Sequence, residues 1–158
     1  MHEATFMAPQ PRLHAATPRL RRVPPLTRWL VKAALFWLVA ALVLGLAMQL
    51  PLAARVPLLG AAWPTYLHLL VVGWLTQLIF GVAFWLFPRY SAERPRGSDR
   101  LGWVSFVGLN LGLVLRVVGE PRRALGADVG TLMLLSAVVQ LLAVLAFVLN
   151  TWPRVRER

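Results

Sequence analysis

The sequence predicts an all-α membrane protein, folded as an antiparallel bundle of four transmembrane helices. Of its 158 residues, 58% are hydrophobic and the mean hydropathy is +0.64, which is more apolar surface than a soluble domain of this size can bury. The apolar residues form four long runs, and the sparse charges lie between them. Runs of about 20 apolar residues can cross the hydrocarbon layer as helices, and they are too long and uniform for membrane-barrel strands.

The chain divides into an arm, a membrane domain and a tail. Residues 1–28 are rich in proline and arginine and are expected to form a flexible basic arm. Thr27 is a candidate cap for the first helix, and Pro64 suits the first turn of the second. Residues 153–158 are expected to form a basic tail. Within the membrane domain, residues 29–152, helices are predicted over 29–50, 64–87, 101–118 and 129–150. The third predicted helix is followed by Gly119-Glu120-Pro121, which marks its end.

The basic residues predict the orientation of the bundle. Thirteen of the 17 Lys and Arg residues lie in the arm and the start of the first helix, in the linker between helices two and three, and in the tail. The positive-inside rule therefore places both termini and this linker in the cytoplasm. An even number of helices agrees with termini on one side, and we expect the bacterial inner membrane. The four remaining basic residues are Arg55, Arg116, Arg122 and Arg123.

Composition excludes several functional classes. The net charge of +11 would suggest nucleic-acid binding in a soluble protein, but here the basic residues flank apolar runs and favour contact with membrane lipids instead. The absence of cysteine excludes disulfides, thiolate metal sites and iron–sulfur clusters. The sequence contains no HExxH motif, no phosphate-binding glycine loop and no Ser/His/Asp arrangement, so no catalytic activity is expected of the chain alone.

His68 is the first candidate functional residue, because an ionisable side chain inside a membrane helix is costly. It lies about one turn into the second predicted helix, where a neutral imidazole can ligate a heme iron. Two alternatives stay open: a hydrogen-bond partner of a quinone, or a histidine near the interface that is bonded to a neighbouring helix or to water. Tyr66, two residues before His68, is included in the candidate cofactor site.

Arg116 and Glu120 form a second candidate group, because residues four apart on a helix can pair. If helices two and three are antiparallel neighbours, this pair lies at the depth of His68, and Arg116 can hold a heme propionate or another anionic group. The alternative is a salt bridge that only anchors the helix end. Other polar residues within the helices are interpreted as interhelical hydrogen-bonding groups, and the glycines as points of close approach between helices or to a flat macrocycle. These residues are Asn110, Gln77, Gln140, Ser136 and Thr131, with Gly108 and Gly112 as a GxxxG pair.

The second predicted helix resembles helix two of subunit I of the heme-copper oxidases, a family that includes the terminal oxidases and the nitric oxide reductases. In that family, the helix begins at the outer surface with a histidine that ligates the low-spin heme, and it ends in an aromatic segment before a proline. The third helix is similar to that of small four-helix relatives of the subunit. The residues that carry the resemblance are His68, Gly73-Trp74, Gln77, Phe80-Gly81, Trp85-Leu86-Phe87-Pro88, Leu109-Asn110-Leu111-Gly112, Arg116 and Glu120-Pro121.

The resemblance implies a heme-binding or heme-associated subunit of respiratory electron transfer, with His68 as axial ligand of heme b. The chain lacks the later helices of the family, which carry the partner heme ligand and the histidines of the copper site, so it is not a complete oxidase. A second axial ligand would come from His68 of another copy in a homodimer, or from another subunit of a respiratory complex. The alternative is a structural or assembly protein without cofactor, which packs against a larger membrane complex or forms a homo-oligomer.

Overall fold

The computed structural model describes residues 23–87 and 97–155, and in these ranges the chain forms four long helices and no strand. All four are long and apolar enough to cross a membrane, which confirms the prediction of a helical membrane protein with four spans. Most of the predicted arm, the middle of the linker and the end of the tail lie outside the described residues. The helices are α1 (Pro25–Gln49), α2 (Trp63–Leu86), α3 (Asp99–Ala124) and α4 (Gly130–Thr151).

Helix α1 begins earlier than its apolar run. Pro25 occupies the first turn, where a backbone N–H would have no acceptor within the helix, so the N–H that proline lacks costs no hydrogen bond. Thr27 therefore lies inside the helix and is buried, and the prediction that Thr27 caps it is wrong. The chain between α1 and α2 forms two short helical segments, a 3₁₀ helix over Pro51–Arg55 and one α-helical turn over Pro57–Gly60.

Helix α3 extends beyond its predicted end. Ser98 caps its start by accepting a hydrogen bond at Oγ from the Leu101 backbone N–H, at 3.4 Å. At the other end the helix continues through Pro121 to Ala124, past Val118, where the predicted third span ends. A proline near a helix end removes one backbone hydrogen bond without ending the helix. As a result, Arg116 and Glu120 both keep helical geometry.

Helix α2 contains an unpredicted π-helical segment, Leu69–Thr76, which begins directly after His68. In this wider turn the backbone bonds run from residue i to i+5, and the Thr76 hydroxyl donates to the Val71 carbonyl at 2.8 Å. Such segments are rare in helices and often lie beside functional residues. Hydrophobic periodicity cannot distinguish this segment from an ordinary helix, because all eight residues lie within one apolar run.

Glycines bring α3 and α4 close together. A Cβ atom on Gly108 would lie 2.8 Å from Cβ of Ala143, and one on Gly112 would overlap the Gln140 side chain. The Ser136 hydroxyl donates to the Gly112 carbonyl at 2.7 Å. The GxxxG pair therefore serves helix–helix packing, one of the two roles expected from the sequence.

A polar network joins α1, α2 and α3. The Asn110 and Gln77 side-chain amides bond reciprocally, with Asn110 Nδ2 donating to Gln77 Oε1 at 3.0 Å. The indole N–H of Trp37 on α1 donates to Asn110 Oδ1 at 2.8 Å. Gln77 is fully buried. The interpretation of Asn110 and Gln77 as interhelical hydrogen-bonding groups is confirmed.

Arg154 secures the end of α2 opposite to His68. Instead of lying in an exposed tail, its side chain is 1% exposed and donates to the carbonyls of Phe84 at 3.1 Å and Phe87 at 2.9 Å. Its guanidinium also lies over both phenyl rings. Arg154 thereby supplies donors to carbonyls that have no partner within the helix.

Candidate functional site

His68, Glu120 and Arg116 meet at one end of the bundle. His68 lies near the start of α2, and the other two residues lie near the end of α3. The Glu120 Oε1 atom is 2.9 Å from His68 Nδ1, and it accepts a hydrogen bond from Arg116 Nη1 at 3.2 Å. Glu120 is 7% exposed, against 30% for His68 and 23% for Arg116. The Glu120 carboxylate therefore contacts both His68 and Arg116, two of the residues predicted to bind a cofactor.

The hydrogen-bond partners define the proton position on His68. Its Nδ1 atom lies 2.9 Å from the Pro64 carbonyl oxygen and 2.9 Å from Glu120 Oε1. Both partners are acceptors, so Nδ1 carries the proton. In the neutral ring this leaves the lone pair on Nε2, the nitrogen that can bind a metal or accept a hydrogen bond.

The imidazole lines an apolar groove of about 230 Å³ on the surface of α2. The other lining residues are Leu67, Val71 and Val72, and the first two are exposed. The groove thus lies on a face that lipid or another protein would cover. The π-helical segment supplies both valines, so its geometry shapes the surface next to His68.

A second cavity, of about 420 Å³, lies beside the same carboxylate. Two atoms of this region are buried without a hydrogen-bond partner among the described residues: Glu120 Oε2 and Arg116 Nε. Unpaired buried polar atoms are rare in proteins and usually indicate a missing partner. The lining residues are Pro64, Arg116, Glu120, Arg123, Ala124 and Met133.

Tyr66 lies on a different face of α2 from His68. Its ring stacks on Trp63, with centroids 5.5 Å apart, and a Cβ atom on Gly45 of α1 would lie 2.8 Å from it. Residues two apart on a helix point in different directions, which explains why nearness in sequence does not bring Tyr66 to the imidazole. The structure therefore joins His68 and Arg116 through Glu120, and places Tyr66 against α1.

Glu120 is the residue whose importance the sequence understated. Its spacing from Arg116 predicted an ion pair, which the structure confirms, but its contact with His68 depends on how α2 packs against α3. The sequence Gly119-Glu120-Pro121 is typical of a helix end, but in the structure Glu120 lies within α3 and its carboxylate is buried.

The site contains one nitrogen that can ligate a metal and one basic side chain. In the neutral ring, His68 Nε2 can ligate an iron, and the positive charge of Arg116 can pair with an anionic group such as a propionate. His68 is the one histidine in ranges 23–87 and 97–155, and no group of three or more metal-ligating side chains occurs there. Ligand pockets usually enclose roughly 300–1,000 Å³, so the groove beside His68 can cover only part of a macrocycle. A heme at this position requires a second protein surface.

No protein-family model, curated protein or solved structure matches this chain. The resemblance of α2 to helix two of the heme-copper oxidase subunit therefore stays a prediction based on the residues quoted above.

Proposed function

We propose that this chain is a heme-binding subunit of a membrane electron-transfer complex, in which His68 is an axial ligand of heme b. One observation carries the proposal: His68 Nδ1 is held by Glu120 Oε1 and by the Pro64 carbonyl, each at 2.9 Å. Metal-binding histidines characteristically donate the other ring N–H to a carboxylate or a backbone carbonyl, which fixes the tautomer and the ring orientation. Here both kinds of partner are present.

Arg116 is the proposed partner of a heme propionate. Its Nη1 atom is used by Glu120, whereas its Nε–H is buried without a partner among the described residues. A propionate oxygen would give that donor a charge-assisted hydrogen bond. When bound, heme supplies one-electron chemistry, and the residues of this chain bind and orient it.

The second wall of the heme site is proposed to come from another polypeptide. The groove beside His68 lies on an exposed face of α2, where Leu67 and Val71 are 41% and 51% exposed. A two-fold axis at this face would bring two His68 side chains together across one heme. A different subunit of a respiratory complex that carries its own heme ligand would also complete the site.

The proposed topology is an antiparallel bundle with both termini in the cytoplasm of a bacterium. Thirteen of the 17 basic residues lie on the terminal side, which supports this orientation. The close contacts between α3 and α4 support the antiparallel arrangement, because Gly119 meets Met133 whereas Gly108 meets Ala143. Later residues of α3 thus meet earlier residues of α4.

Reporter fusions test the topology. After Glu93, a reporter that is active only in the cytoplasm is expected to be active, and one that is active only outside the cytoplasm is expected to be inactive. After Gly126, the opposite result is expected. Gly126 is a suitable junction, because it has a positive φ of 85° between α3 and α4 and a Cβ there would meet no atom within 4 Å. Identical activity at both junctions would contradict the four-span topology.

Visible spectroscopy tests heme binding. The chain, expressed with ample heme and purified in detergent, is expected to show a Soret band that His68→Ala abolishes. Glu120→Gln is expected to weaken heme affinity about 10- to 100-fold, the usual effect of losing a residue that orients a metal ligand. His14→Ala removes an imidazole from the arm and is the matched control, with an unchanged band.

Two results would argue against this function. A colourless protein that co-purifies with other membrane subunits would favour the structural role without cofactor. A Soret band that survives His68→Ala would place the iron ligand elsewhere.

A further inference from the structure

The cavity of about 420 Å³ beside Glu120 lies at the level where lipid headgroups are expected. It is built from the start of α2, the end of α3 and the start of α4, and all three helices are long enough to span the membrane. Trp63, the residue before Pro64, is 57% exposed, as expected of a tryptophan at the membrane interface. A cavity at the ends of membrane-spanning helices is expected to face headgroups rather than acyl chains.

The charges around this cavity suit a zwitterionic headgroup. Arg116 and Glu120 are paired with each other at 3.2 Å, whereas Arg123 has no carboxylate within ion-pair distance in the described ranges. The cavity thus has a positive excess, to which a phosphate is attracted. Glu120 is also more than nine-tenths buried, and its Oε2 atom accepts no hydrogen bond from the described residues. This carboxylate oxygen lacks an N–H or O–H donor among the described residues, and a bound ligand can supply one.

We propose that the cavity binds the headgroup of a phospholipid that carries a phosphate and a primary ammonium group, as phosphatidylethanolamine does. The phosphate pairs with Arg123, and the ammonium donates to Glu120 Oε2. Met133 and Pro64 provide apolar contacts for the first carbons of the lipid. The lipid uses Arg123 and Glu120 Oε2, whereas the proposed heme contacts are His68, Glu120 Oε1 and Arg116, and His68 does not line the cavity.

Binding of short-chain lipids to the delipidated full-length protein tests this assignment. Native mass spectrometry is expected to show dioctanoyl phosphatidylethanolamine binding about tenfold more tightly than dioctanoyl phosphatidylcholine, whose quaternary ammonium has no N–H to donate. Soluble phosphoethanolamine and inorganic phosphate distinguish a lipid from a free anion, and both are expected to bind more weakly than the lipid. Dioctanoylglycerol, which lacks the phosphate, is expected not to bind.

Neighbouring arginines provide a matched pair of variants. Arg123→Gln is expected to weaken binding of the ethanolamine lipid about tenfold, because a charge-assisted hydrogen bond is lost. Arg122→Gln removes the same charge from an exposed residue that does not line the cavity, and is expected to leave binding unchanged. Both residues are exposed, so neither change should prevent folding.

Three outcomes would overturn the proposal. Equal losses in the two variants would mean general attraction to basic residues. Equal binding of the ethanolamine and choline lipids would mean that Glu120 receives no headgroup donor. Phosphate alone binding as tightly as the lipid would assign the cavity to a free anion. The Soret band, measured on the same samples, is expected to be unaffected by Arg123→Gln, so failure of lipid binding remains distinguishable from failure of heme binding.

Discussion

Arg154→Leu is expected to lower the free energy of unfolding by about 3 kcal/mol, because it leaves buried helix-end carbonyls without donors. The arginine side chain is 1% exposed and donates to the carbonyls of Phe84 and Phe87. These carbonyls belong to the last turn of α2 and the residue that follows it, so the helix itself offers them no donor. Denaturation in detergent micelles, followed by tryptophan fluorescence, would measure the loss.

Two further variants separate the role of the guanidinium from that of its charge. Arg100→Leu removes an exposed positive charge from the first turn of α3, and is expected to change stability by no more than about 0.5 kcal/mol. Arg154→Lys keeps the charge but loses the planar fork of donors, so an intermediate loss is expected. If Arg154→Leu were as stable as Arg100→Leu, Arg154 would not support the end of α2.

The four spans were predictable because a long apolar run satisfies its backbone hydrogen bonds in lipid by forming a helix. A helix satisfies its own backbone, so any apolar run of sufficient length becomes a span whatever its neighbours are. The pairing of Arg116 with Glu120 was equally local, since it depends only on the spacing of four residues along one helix. Both features follow from the chain without knowledge of its tertiary structure.

The features that sequence analysis missed depend on contacts between helices. Arg154 lies among the arginines of the tail and resembled a topological charge, but the packing of the bundle brings it under the end of α2. The separation of two residues along the chain predicts that Tyr66 lies beside His68, whereas the helix turns Tyr66 toward Gly45. The contact of Glu120 with His68 likewise depends on the register between α2 and α3. No single helix specifies these relations.

Gly73→Val is expected to have an effect at least as large as Arg154→Leu, because it prevents the close approach of α1 to α2. A Cβ atom on Gly73 would lie 2.7 Å from Trp37 Cβ and 2.8 Å from Leu113 Cδ2. The Cβ of Trp37 is fixed to its own backbone, so relief requires movement of α1. Overpacking of this kind costs about 1–3 kcal/mol, occasionally more, and a loss of about 3 kcal/mol in unfolding free energy is expected.

The movement of α1 should also break the hydrogen bond from the Trp37 indole to Asn110. Gly73→Ala, the milder variant, is expected to lose about 1–2 kcal/mol and to remain folded. In that background Asn110→Leu should cost less than it does alone, because the bond it removes is already broken. Additive losses would show that α1 has not moved. Gly60→Ala is the control, since a Cβ there meets no atom within 4 Å, and a loss equal to that of Gly73→Ala would contradict the steric explanation.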